Sequence, residues 1–102
     1  MIARIWHGRT KIEDYEIYTK FVKDRAIPDY ANTKGFMKLV FLRNTSGNAA
    51  HFTLITFWEN LETIRNFAGE DVEKAKYYPE DKNFLLEFEE KVTHYEVFAE
   101  QY

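Results

Sequence analysis

Residues 2–7 are apolar or amphipathic almost throughout, and this run predicts a first strand. Gly8-Arg9-Thr10 follows as a break, and a helix signal begins there. Thr10 and Glu13 are spaced as a capping box, in which the Thr hydroxyl accepts from a free helix N–H and the Glu carboxylate reaches back. Ile12, Tyr15, Tyr18, Val22 and Ala26 then fall within about 120° of one another at about 100° per residue, which is one helix face. Glu13, Glu16, Lys20, Lys23 and Asp24 take the opposite side, with Ile17 and Phe21 off the main stripe. Pro28 lacks an N–H and is expected to end or kink this helix near Ile27.

Asn32-Thr33-Lys34-Gly35 is a turn cluster. Two strands are predicted next, over residues 36–43 and 50–58, joined by a loop at 44–48 that suits a hairpin. Both strands are apolar on both alternating faces, as in Leu39-Val40-Phe41-Leu42, where a half-wet sheet would alternate more cleanly. One face is therefore expected under helices and the other under a second chain. Asn60 is placed to cap a short helix carrying Leu61, Ile64, Phe67 and Ala68 and closed by Gly69. Another turn or two is expected at 70–75, a short helix opened by Pro79 through Phe84 and Leu85, and a final strand at 92–99. The order β-α-β-β-α-β is that of a ferredoxin-like α+β sandwich with a four-stranded antiparallel sheet, in one domain over residues 1–102. A sheet with two apolar faces at this size predicts a homodimer joined through the sheet face.

Composition narrows the function classes. Phe 9, Tyr 7 and Trp 2 make aromatics 18% of the 102 residues, so burial is rewarding and disorder is excluded. There is no Cys, hence no disulfide framework and no thiolate chemistry, which suits a reducing, cytoplasmic setting. No apolar run is long enough to span a bilayer, and residues 1–4 lack the apolar core of a signal peptide. A formal net charge of −3 is a poor match to nucleic acid. An RNA-recognition module shares the element order, but Lys34-Gly35-Phe36 continues as Met37-Lys38-Leu39 and departs from its aromatic strand motif.

The chemistry-bearing residues are few. The 4 Gly are scattered, so no phosphate-binding loop exists, and no HExxH or His pair at i, i+4 is present. His7, His51 and His94 lie far apart, each on a predicted strand, and no metal site is expected from them. His7 closes the predicted first strand, beside a neighbour expected to run parallel to it and to end in Trp58, and is the candidate proton donor and acceptor. An antiparallel pairing of the first and last strands would set Glu96 near Arg4 as an ion pair. Trp58 is either a core corner or a pocket wall with one N–H to offer. Tyr77 and Tyr78 are adjacent, so one can turn its hydroxyl into a pocket while the other packs. Glu80-Asp81 reads as a solvated pair of first-turn acids. Trp6, Trp58, Tyr77 and Tyr78 cluster near breaks in the pattern and are the candidate small-molecule-binding residues.

These residues also carry a likeness. Ile2-Ala3-Arg4-Ile5-Trp6-His7-Gly8, Pro28-Asp29-Tyr30, Lys34-Gly35-Phe36, and the run from Phe57-Trp58-Glu59-Asn60 to Phe67 resemble the antibiotic biosynthesis monooxygenase domain family. Phe67-Ala68-Gly69-Glu70-Asp71, Tyr77-Tyr78-Pro79-Glu80-Asp81 and His94-Tyr95-Glu96-Val97 look like one bacterial subgroup of it. The resemblance implies a dimeric α/β barrel and an oxygenase with no cofactor, acting on a small aromatic or polyketide-type substrate. In such enzymes the substrate is deprotonated and its carbanion passes an electron to O₂. It further implies Trp58 as a pocket residue. Leu54 stands where an amide would be expected, and no matching Arg is found. A haem-degrading branch carries a His in the helix after that Trp, where this chain has Ala68. The alternative is a non-catalytic dimeric barrel that binds a small apolar ligand or serves a stress role.

Overall fold

A computed structural model describes all 102 residues. Its four strands are β1 (Ile2–Lys11), β2 (Phe36–Ser46), β3 (Ala49–Trp58) and β4 (Thr93–Glu96). They form one antiparallel sheet in the order β2-β3-β1-β4. Two α-helices, α1 (Tyr15–Ala31) and α2 (Leu61–Ala68), pack on one side, giving an α+β chain compatible with a ferredoxin-like fold. No helix is long and apolar enough to cross a membrane.

β1 runs through the Gly8 break to Lys11. Gly8 is a packing requirement there: a Cβ would lie 2.5 Å from the Trp6 ring, which folds back over it. The expected capping box is absent. Thr10 is fully buried on β1 with its hydroxyl donating to the Lys11 carbonyl, and a 3-10 turn (Ile12–Asp14) leads into α1. α1 buries Tyr18, Val22, Ala26 and Tyr30, four residues apart, while Ile12, expected on the same face, is exposed in the 3-10 turn. Pro28 lies inside this helix and does not end it. It sits on the wet side, where water can take the carbonyl whose intrahelical donor Pro removes, and the extra turn carries Tyr30 into the core.

The hairpin closes on Gly47-Asn48, with Ser46 opposite Ala49. Before it, Gly35 packs under α2: a Cβ would fall 2.2 Å from Thr63 Cβ, and φ is +96°. α2 starts as expected, the Asn60 side chain accepting from the Thr63 N–H. Ile64 and Phe67 face the core while Leu61 is exposed. Of the turn or two expected at 70–75, one hydrogen-bonded turn forms, the Lys74 N–H donating to the Asp71 carbonyl at 3.1 Å, and a Lys74–Lys91 bridge ties the segment down. A 3-10 turn (Pro79–Asn83) follows, and the last strand is only four residues long. Beyond its reach the β1 edge is met by the chain around Leu85 and Leu86, whose N–H donates to the Arg9 carbonyl.

The register assigns the faces. Arg4, Trp6, Gly8 and Thr10 of β1 pair with Thr56, Leu54, Phe52 and Ala50 of β3 and lie under the helices. Ala3, Ile5, His7 and Arg9 pair with Phe57, Ile55, Thr53 and His51 on the open face, joined by Lys38, Val40 and Leu42 of β2.

Candidate functional site

Between the sheet and α1 is a small cavity walled by aromatics. Trp6 and Leu54 floor it, Tyr18, Phe21, Val22, Ala26 and Tyr30 roof it, and Phe67, Lys76, Tyr78 and Asp81 close its sides. Its volume is about 20 Å³, the room of one water. Phe21, Lys76 and Tyr78 are its half-exposed members and so form its mouth.

Two features give the cavity chemistry. Trp6 is 6% exposed and its indole N–H is buried with no hydrogen-bond partner. Asp81, which lines the same cavity, is 2% exposed; Oδ1 accepts from the Tyr18 hydroxyl at 2.8 Å and Oδ2 from the Tyr78 N–H at 2.7 Å. Burial raises Asp81 above the usual carboxylate range in spite of those donors, and burial raises Tyr18 too. At the mouth, Asp29 accepts from Tyr78 Oη at 2.7 Å and from Lys76 Nζ at 2.9 Å. Burial pushes Asp29 up, but the hydrogen bonds from Tyr78 and Lys76 outweigh it and hold the group below its ordinary value. A buried donor, a raised carboxylate and aromatic walls can orient a small oxygen-bearing group and take a proton from it.

The five candidate residues do not converge. Trp6 and Tyr78 line the cavity. Tyr77 packs edge-on behind Trp6 at 5.9 Å and donates its hydroxyl to the Glu89 carbonyl, with burial raising it to about 12. Trp58 is 0% exposed, outside the cavity wall, its N–H donating to Thr56 Oγ1 at 2.8 Å. His7 is on the open face, away from the cavity. Because β1 and β3 are antiparallel, His7 lies opposite Thr53, and Trp58 is at the far end opposite Ile2. On that face His7 Nδ1 meets Glu89 at 2.6 Å and its Nε2 meets His51 Nδ1 at 3.2 Å. Arg9 beside them is held by both oxygens of Glu87.

Tyr30, Lys76 and Glu89 are members of these two clusters that sequence reasoning passed over; it weighed His51 only as a metal ligand and read Asp81 as a solvated acid, whereas Asp81 is buried beneath Tyr18 and the start of the 3-10 turn. Asp81 had a readable signal: an acid two residues after Pro79, at the third position of the turn, is placed to accept from the N–H at the turn's start. No group of three His, Asp or Glu side chains is positioned to hold a metal ion.

The third histidine is structural. His94 pairs with Arg4, not Glu96, and its Nε2 is 3.2 Å from Arg4 Nη1; Glu96 lies opposite Ile2, so the expected Arg4–Glu96 ion pair is absent. Burial, then the Arg4 charge, hold His94 below the ordinary imidazole value of 6.5. Between that lowered value and 6.5 the unfolded chain binds a proton that the folded chain refuses, so stability rises with pH through this window and falls on acidification. Thermal melts from pH 7.5 to 5.5 are expected to show a loss that His94→Gln diminishes; equal slopes in both proteins would refute it.

The chain matches no protein-family model and no curated protein.

Proposed function

We propose that the chain is a cytoplasmic, dimeric α/β-barrel protein of the antibiotic biosynthesis monooxygenase kind, oxidising a small electron-rich aromatic substrate with O₂ and no resident cofactor. The observation that carries this reading is that Trp6, whose indole N–H is buried without a partner, and Asp81 line one aromatic-walled cavity. A buried donor without an acceptor costs about 1–3 kcal/mol, and a ligand oxygen would remove that cost. Asp81, made more basic by burial, takes a proton from a ring CH₂ group flanked by conjugation. The carbanion passes one electron to O₂, and the radical pair joins as a C–O bond. Asp81 returns its proton to the peroxide, then takes the remaining C–H proton as the O–O bond breaks and hands it to the departing hydroxide, so that CH₂ and O₂ become C=O and H₂O. A ring enters only when Lys76 and Tyr78 swing off Asp29 and the walls part, because the closed cavity has the room of one water.

His7 has no part in this cavity chemistry. O₂ uptake across a panel of dihydroxyarenes and anthrone-type substrates is expected to fall roughly 10²-fold in kcat for Asp81→Asn, with KM little changed. Trp6→Phe should mainly raise KM, and His7→Ala should match wild type. No uptake with any substrate, or full activity in Asp81→Asn, would end the enzyme reading.

The small volume of the cavity favours a second reading, a non-catalytic barrel that holds a small apolar ligand. It predicts a rise in melting temperature with ligand and no O₂ uptake. In both readings two copies meet through the open sheet face, where Ile5, Val40, Leu42, Ile55 and Phe57 form an apolar strip, with Val40 44% and Leu42 49% exposed.

A further inference from the structure

The open face carries a polar chain that the cavity chemistry does not use. Glu89, His7 and His51 are linked end to end, carboxylate to Nδ1 at 2.6 Å and Nε2 to Nδ1 at 3.2 Å. The two ring centroids are 5.5 Å apart, so the facing nitrogens lie nearly on the line between the rings. One proton between those nitrogens makes a hydrogen bond; a proton on each turns the contact into N–H against N–H. Glu89 offsets the charge of one imidazolium. The other acid alongside, Glu87, is already held by Arg9, and the next residue on this face of β1 is Lys11. Asn44, opposite His51 on β2, is neutral. A second imidazolium therefore has no free carboxylate to meet.

The chain sits beside the apolar strip. Ile5 and Arg9 flank His7 on β1, and Thr53 and Ile55 continue from His51 on β3. An unpaired charge set there must be stripped of water if the face is covered, which is costly. Imidazole is the side chain whose ordinary charge change falls between pH 5 and 8. In a twofold dimer the chain occurs twice in one interface, so the cost is doubled.

We propose that the Glu89–His7–His51 chain is an acid-sensitive latch on the face that joins two copies, closed when one proton is shared between the rings and open when both rings are protonated. The latch rests on the dimer reading given above. Sedimentation equilibrium at pH 7.5, 6.5 and 5.5, with circular dichroism reporting the fold, tests both. The dimer Kd of the wild type is expected to rise at least about tenfold from pH 7.5 to 5.5. In His51→Gln, and separately in His7→Gln, the rise should stay under about twofold, whereas His94→Gln keeps the wild-type response. A dimer whose Kd does not move with pH, or moves as much in His51→Gln and His7→Gln as in the wild type, overturns the latch and leaves the dimer. A chain that is monomeric at every pH overturns the dimer and the latch with it.

Discussion

Arg4→Met is expected to lower the unfolding free energy by about 4 kcal/mol, a large share of the 5–15 kcal/mol of a domain this size. Arg4 is 2% exposed, and its guanidinium faces no carboxylate. It donates to the Val72 carbonyl at 2.5 Å and the Lys74 carbonyl at 3.0 Å, and its Nη1 contacts His94. Burial lowers its pKa, so holding the charge has a cost, and Met relieves that cost. The losses are larger. Backbone carbonyls cannot be mutated away, so Met leaves two acceptors and His94 without a donor, at about 1–3 kcal/mol each. The loop at 70–76 has no helix of its own and loses its main tie to the sheet. Midpoints should fall by roughly 20 °C. Arg4→Lys, with one compact ammonium, should recover only part. A loss below about 1 kcal/mol in urea unfolding would show that the loop finds other partners.

Trp58→Ala is expected to cost about 4 kcal/mol by the loss of a large buried ring and the void left behind. Trp58 is 0% exposed and packs against Tyr30, Phe36 and Phe67 with centroids 6.3, 5.6 and 5.9 Å away. Trp58→Phe keeps most of that packing and removes the donor to Thr56, so it should cost about 1–2 kcal/mol. The pair of variants separates a core corner from a pocket wall. If Trp58 is core, Trp58→Phe leaves substrate KM unchanged where Trp6→Phe raises it. A KM that responds equally to both would return Trp58 to the pocket.

Much of the fold was legible because its cues are local. Hydrophobic period, the Asn60 cap and the Gly47-Asn48 turn are each set within a few residues. Errors arose where a distant contact overrides a local preference. Gly8 reads as a break until the Trp6 ring is seen lying over it. Pro28 reads as a stop until the burial of Tyr30 beyond it is counted. The candidate residues do not meet in one place, for a reason the chain itself contained. Neighbouring residues of a strand point to opposite faces, so Trp6 and His7 cannot serve one pocket. Asp81, Lys76 and Tyr30 reach Trp6 only through the packing of α1 and the 3-10 turn on the sheet, over separations no motif records.

The sheet order has a consequence for synthesis. β1 is the first strand made, yet it is central, and its partners β3 and β4 come late in the chain. At 5–20 residues per second, roughly 2–10 s separate Lys11 from the end of β3 at Trp58. Throughout that interval a nascent segment bearing Ile2, Ile5 and Trp6 has no sheet to join. Arg4, Arg9 and Lys11 interrupt it at short spacing, as gatekeeping charges do in aggregation-prone strands. The guanidinium that later ties down the loop at 70–76 first serves to keep an unfinished chain apart from its neighbours on the polysome.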